Sequence, residues 1–223
     1  MQINSQISER AANIVTLSLL GERLCLDFAN TIDPRIGDHP HEYLKDYPDL
    51  VQWSQHLGIF TEKEGQVLLR KATEEPEEVK ITFEQAITLR ETIYRIFSSI
   101  ARKTNPQDAD LATLKSAFIE VMAHAQLTTT PEGFVWNWVK LEDQFDGMLW
   151  PIVRSAIELL TSEEVRRVKE CPGLGDCGWL FLDTSKNGSR QWCSMESCGS
   201  RAKMRRQYAR KRVERIAHSQ NAD

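Results

Sequence analysis

A chain of 223 residues with 41% hydrophobic and 27% charged content can bury one good core with a small appendage, which excludes a wholly disordered or fibrous protein. Its formal net charge of -4 conceals an asymmetry, because residues 171–223 hold 10 Lys+Arg against 5 Asp+Glu while the remainder holds 18 against 27. An acidic body joined to a basic tail points to a polyanion partner for the tail alone.

In chain order, the N-terminal stretch to Leu20 has Glu9 and Arg10 ahead of an interrupted apolar run. Neither a signal peptide nor a membrane span fits it, and a reducing cytoplasm is the expected setting. Ile14–Leu20 and Leu24–Ala29 are apolar enough for buried helices separated at Gly21, and Cys25 among Leu24, Leu26 and Phe28 reads as a silent core thiol. Asp27 and Asn30 are polar groups in an apolar helix and must find hydrogen-bond partners, either capping a neighbouring helix, the preferred reading, or lining a pocket. Asp33 and Arg35 follow, on either side of a helix-ending proline. His39 and His41 lie in a loop without acidic or thiol partners at useful spacing, so solvent rather than metal is their expected environment.

Leu50, Val51, Trp53 and Leu57 recur at helical spacing up to a stop at Gly58, and Thr61 with Glu64 opens a further helix through a capping box. A long helix is expected from Thr82, with Gln85 closing a second box and Phe83, Ala86, Ile87, Tyr94, Phe97 and Ile100 as its core stripe. Asn105-Pro106 opens another, carrying Leu111, Leu114, Phe118, Val121 and Met122. Between Gln126 and Leu141 the pattern alternates around a turn at Pro131–Gly133, predicting a hairpin with Phe134, Trp136 and Trp138 on one face. That face covers the helical core, the preferred reading, or walls a small-molecule pocket; the pocket candidates are then Asp27, Asn30, Asp33, Arg35, Trp136 and Trp138. A last body helix is expected over Glu142–Leu160, kinked at Pro151, with Ser162 capping a short helix that leads into Cys171.

The tail holds Cys171, Cys177, Cys193 and Cys198 in the spacing C-x5-C-x15-C-x4-C. Two pairs of close thiolates, separated by enough chain for a hairpin, supply four soft ligands for one structural Zn2+. Two disulfides or four unrelated thiols are the alternatives, and sparse cysteine elsewhere in a chain of this size weighs against both. Glycines between Cys171 and Cys177 permit the tight turn, Trp179–Asp183 reads as a strand, and Lys186–Gly188 as the turn of a hairpin returning through Arg190 and Trp192. After Cys198 a helix places Ala202, Ala209, Val213 and Ile216 on one face and Arg201, Arg205, Tyr208, Arg212 and Arg215 on another, flanked by Lys203, Arg206 and Arg210. Arginine forks around a tyrosine suit phosphate contacts and groove insertion; an acidic protein partner or a solvated face are the alternatives.

These residues carry a resemblance. Cys193-Ser-Met-Glu-Ser-Cys198-Gly-Ser-Arg201-Ala-Lys203, preceded by Trp179-Leu-Phe-Leu-Asp183-Thr-Ser-Lys-Asn-Gly188-Ser-Arg190, resembles the CGNR-type zinc finger of bacterial proteins. Gly21-Glu-Arg-Leu-Cys-Leu-Asp-Phe-Ala-Asn30-Thr-Ile-Asp33 is similar to the start of the ABATE domain that precedes this finger. The resemblance implies a stress-related transcription regulator whose finger binds DNA and whose helical domain senses a ligand. Ser200 stands where the motif has asparagine, which keeps capping chemistry but weakens any base reading.

The expected architecture is mainly α: a helical domain over residues 1–165 with one small β-hairpin, then a zinc-bound hairpin-plus-helix module over 166–218. The expected function is DNA-binding transcriptional regulation, with Arg190, Arg201, Lys203, Arg205, Arg206, Tyr208, Arg212 and Arg215 on double-stranded DNA. An RNA-binding or protein-interaction module is the rival. An enzyme is not expected, because no nucleophile–base pairing, phosphate loop or catalytic metal motif is present. Tight specific binding by so small a finger calls for a homodimer, although no heptad run marks an interface.

Overall fold

A computed structural model describes residues 14–139 and 141–220, and side chains as far as Arg212. The reading of residues 1–13 therefore lies outside the described residues. The described residues are mainly helical, as the pattern predicts, and form three two-stranded sheets, one more than the two hairpins expected. Among the described residues no helix is long and apolar enough to cross a membrane.

After a single turn at Ile14–Thr16, α1 (Leu24–Ala29) buries Cys25, Leu26, Phe28 and Ala29; the segment between is not the helix that its composition suggests. Strands β1 (Ile32–Asp33) and β2 (His41–Glu42) pair antiparallel across the histidine loop. Helix α2 (Tyr47–His56) starts at Asp46, whose carboxylate accepts from the Asp49 N–H, and the left-handed Gly58 lies just beyond its end. The Thr61–Glu64 capping box opens α3 (Glu62–Glu74) as expected.

Helix α4 runs over Pro76–Ala101 and starts six residues before the expected Thr82, which is itself buried mid-helix. Its first turn is acidic and poor in apolar residues, so hydrophobic periodicity begins only later, while Pro76 is preorganised for a first helical turn. Helix α5 (Asp108–Met122) and the hairpin β3 (Ala125–Thr130) and β4 (Gly133–Trp138) follow. Helix α6 is shorter than expected, Leu149–Leu160, and Pro151 sits in its first turn, where its missing N–H costs nothing. It does not kink the helix interior.

The last sheet pairs β5 (Val168–Glu170) with β6 (Leu180–Leu182), and α7 (Ser200–Gln220) ends the described chain. The tail hairpin thus exists, but its strands flank the first cysteine pair. The return segment expected to pair with Trp179–Asp183 is irregular instead. Lys169 holds it from below, donating to the Gly188 and Arg190 carbonyls at 2.7 and 2.8 Å. One continuous core runs from Ile14 through Trp53, Ile93 and Trp150 to Phe181 and the four tail cysteines. The tail module shares the body's core rather than hanging from it.

Candidate metal centre and nucleic-acid interface

The first sulfur pair is set by a loop that only glycine permits. Gly173 has φ +51°, and a Cβ there would lie 2.7 Å from the Cβ of Cys177. The Cys171 N–H donates to the Trp179 carbonyl at 2.8 Å and the Gly178 N–H returns to the Cys171 carbonyl at 3.0 Å, closing the loop. For the second pair, Arg190 donates to the Cys193 carbonyl at 2.6 Å. Ser194 then accepts from the N–H groups of Glu196 and Ser197, starting the turn Met195–Gly199 that carries Cys198.

The four Sγ atoms lie within 4.8 Å of one another and all four residues are buried. Cys193 Sγ is 3.7 Å from both Cys177 Sγ and Cys198 Sγ. Four sulfurs at ~2.3 Å from one zinc ion would be separated by about 3.8 Å, so the donor set fits Zn2+. As bare thiols they cannot all ionise: hydrogen bonding among them pulls Cys171 down while pushing Cys177 and Cys193 up. A divalent cation is what lets four buried thiolates coexist. Four protein ligands complete the shell, which makes the ion structural. Arg201 adds an outer contact, with one guanidinium nitrogen 3.2 Å from Cys198 Sγ and the other 3.2 Å from Asp176.

The helical body grips this centre directly. The Asn30 amide donates to the Leu180 carbonyl at 2.8 Å and its oxygen accepts from the Leu180 N–H at 2.9 Å, pairing a side chain with a strand as another strand would. The Leu182 N–H reaches the Gly21 carbonyl, the Trp179 indole N–H the Ile32 carbonyl, and the Arg35 N–H the Cys177 carbonyl at 2.7 Å. Glu170 ties β5 to Ser98 of α4 and to Arg102 at its C-cap.

Helix α7 leaves the centre as an isolated basic rod. Of its described side chains only Ala202 is buried; every residue from Lys203 to Arg212 is exposed. Ala209 is among them, so the expected apolar face packs on nothing there; Val213, Arg215 and Ile216 lie outside the described side chains. Lys203, Arg206 and Arg210 line a groove of about 480 Å³ with Trp192 and Met195. The helix repeat marks Arg210 only as a flank, and no sequence signal brings the Trp192 indole to this groove. Ser200 donates to the Met195 carbonyl at 3.0 Å, fastening the turn to the helix. Arg190 does not belong to the basic face. Its guanidinium stacks 4.5 Å over the Phe181 ring and donates to the carbonyls of Leu20, Trp192 and Cys193.

The six pocket candidates are not gathered. Asp27 accepts from the Gly21 N–H at 2.8 Å, and burial raises its carboxyl to about 6. Arg35 is buried against Glu91 and Tyr94 and donates to the Ala29 carbonyl. Neither side chain caps a neighbouring helix: Asn30 ends α1 through its backbone N–H, and the side chains of Asp27 and Asn30 both bind other backbone segments. Trp138 packs its ring 5.9 Å from that of Trp150, but Trp136 and Phe134 stand in solvent, which overturns the expectation that this face covers the core. None of the six lines the cavity of about 670 Å³ between α4, α5 and α6. Asp33 opens instead on a cavity of about 390 Å³ beside the cysteines, with Tyr43, Trp179 and Arg201. Burial raises the Cys25 thiol to about 12, in keeping with a silent core group.

Residues 22–163 match the ABATE family, whose description reads "Putative stress-induced transcription regulator", and residues 167–211, which include all four cysteines, match the CGNR zinc finger. Comparison with curated proteins finds no match.

Proposed function

The chain belongs to the ABATE family and ends in a CGNR zinc finger, and from that premise we propose that it is a zinc-dependent regulator that binds duplex DNA through α7. The observation that carries this reading is the helix itself. From Ser200 to Arg212 it holds Arg201, Lys203, Arg205, Arg206, Arg210, Lys211 and Arg212 with no acidic residue, nearly all of it in solvent. A solvated helix face ordinarily interleaves both signs of charge. Arginine and lysine in this density suit phosphate oxygens, and Arg205, Arg206, Tyr208 and Arg212 are the contacts that we assign first.

Zinc, when bound, supplies only a rigid crosslink. Cys198 fixes the turn from which α7 departs, and Arg201 spans Cys198 and Asp176 at the base of the helix. The acidic body is repelled by the same phosphates that attract α7, so only one side of the molecule approaches a duplex. The cavity between α4, α5 and α6 falls within the size range of small-molecule sites. A ligand there would sit against α4, which bonds to β5 through Ser98 and through Arg102 at its C-cap. We therefore read the body as a sensor that binds without turnover.

Competition decides between nucleic-acid classes. A labelled random duplex bound to the zinc-loaded protein should be displaced by unlabelled duplex at lower concentrations than by structured RNA or an acidic protein. Displacement by RNA at a concentration about tenfold below that of duplex would favour the RNA-binding reading.

A further inference from the structure

The hairpin β3–β4 presents an apolar face that its own chain leaves mostly bare. Its register opposes Ala125 to Trp138, Leu127 to Trp136 and Thr129 to Phe134, so these six side chains share one face. Gln126, Thr128, Thr130 and Asn137 fall on the other, where Val135 is the one large apolar side chain. At the root, Trp138 is half-buried against Trp150, on which His124 also stacks at 4.2 Å. Outward from that anchor exposure climbs, to 39% at Trp136, 56% at Leu127 and 75% at Phe134. Two strands with an uncovered apolar face are marginal on their own in water. Aromatic side chains at these positions are therefore expected to have a partner.

Charge indicates what that partner is. The body carries an excess of acidic groups, so two copies repel over most of their surface. Residues 125–139 contain a single charged side chain, Glu132 in the turn, and form a weakly charged strip through which like can approach like. Area agrees. Leu127, Phe134 and Trp136 expose roughly 350 Å² of apolar surface, given about 150–250 Å² for a whole aromatic side chain. At the usual apolar share of an interface that corresponds to about 600 Å² per protomer, or about 1,200 Å² in total, above the ~1,000 Å² that a specific interface needs.

We propose that two copies of the chain associate about a two-fold axis by stacking the Leu127–Phe134–Trp136 faces of their hairpins. Such an interface is self-complementary, as two-fold symmetry requires. It would present two α7 helices, the arrangement in which two half-sites give one small finger useful affinity. The association is independent of nucleic acid, so it stands or falls apart from the DNA reading.

Sedimentation equilibrium of the full-length, zinc-loaded protein without DNA, from about 1 to about 100 µM, tests it. The wild-type protein should reach twice the chain mass of 25.6 kDa. Phe134→Glu should remain monomeric, or dimerise at least about tenfold more weakly, with unchanged circular dichroism and zinc content, because the ring is mostly in solvent. Ile119→Glu, at an exposed apolar position on α5, should dimerise like wild type. A monomeric wild type over the whole range, dimerisation of Phe134→Glu at wild-type strength, or equal weakening by Ile119→Glu would each overturn the proposal. Association of the wild type with vesicles or another protein while it stays monomeric would assign the face to a different occupant and overturn it as well.

Discussion

Asn30 illustrates how one side chain can join two parts of a chain. It is 1% exposed, and Leu180, whose N–H and C=O it satisfies, is fully buried. Asn30→Ala leaves both backbone groups of Leu180 without a partner in a site closed to water, a loss of about 2–4 kcal/mol. Thermal denaturation should register it as a fall in Tm; an unchanged Tm would mean that water or a shifted strand replaces the amide. Asp27 makes a pH-dependent contribution. Its carboxyl lies at about 6 in the folded protein against an ordinary 3.8, because burial disfavours its charge, so the folded state binds this proton more tightly than the unfolded one. The resulting stabilisation is full below about pH 4 and is lost as the pH rises through about 6. Asp27→Asn can keep the acceptor for the Gly21 N–H and removes the titration. Relative to wild type it should therefore gain roughly 2 kcal/mol between pH 4 and pH 7. Parallel denaturation curves at the two pH values would refute this. That Asp27 and Asn30 need partners is legible in an apolar helix; that Asn30's partner is Leu180, 150 residues away, is not, because no local pattern encodes a long-range pairing.

At the scale of elements, the legible features were those with local causes. The Thr61–Glu64 box and the end of α2 near Gly58 follow from hydrogen bonds and backbone freedom within a few residues. The cysteine spacing was legible because zinc restricts both ligand type and geometry. Strand β5 escaped notice since Val168–Glu170 is too short to show an alternating pattern, and it pairs across the whole first cysteine loop. The face of α7 carrying Ala202 and Ala209 reads as an apolar stripe, yet beyond Ala202 the described side chains of the helix are all exposed. The same applies to β4, whose aromatic face looked like core cover; only Trp138 is close enough to reach the helices.

At the scale of the molecule, the metal centre and the helical body share one hydrophobic core. Cys171, Cys177, Cys193 and Cys198 belong to the same core as Phe28 and Ile96, and backbone hydrogen bonds from Gly21 and Arg35 end on the finger. Removal of zinc with a chelator should accordingly lower the melting temperature of the whole chain in a single transition, instead of melting a small appendage ahead of an unaffected body. Circular dichroism at a helical wavelength, with and without chelator, reads this directly; an unchanged main transition would mean that the body folds independently of the ion. The functional arrangement follows from the same geometry: a basic helix fixed to a metal-bound turn, which is itself held by a helical body containing a cavity.

The most direct test of that arrangement is fluorescence anisotropy of zinc-loaded protein on random duplex DNA, titrated from low to high salt. Micromolar-range binding that weakens steeply with salt is the predicted result, with Arg205→Ala/Arg212→Ala lowering affinity and reducing the salt slope by about one to two. Absence of binding at low salt, or a slope unchanged in the double variant, would contradict the assignment of α7 to DNA.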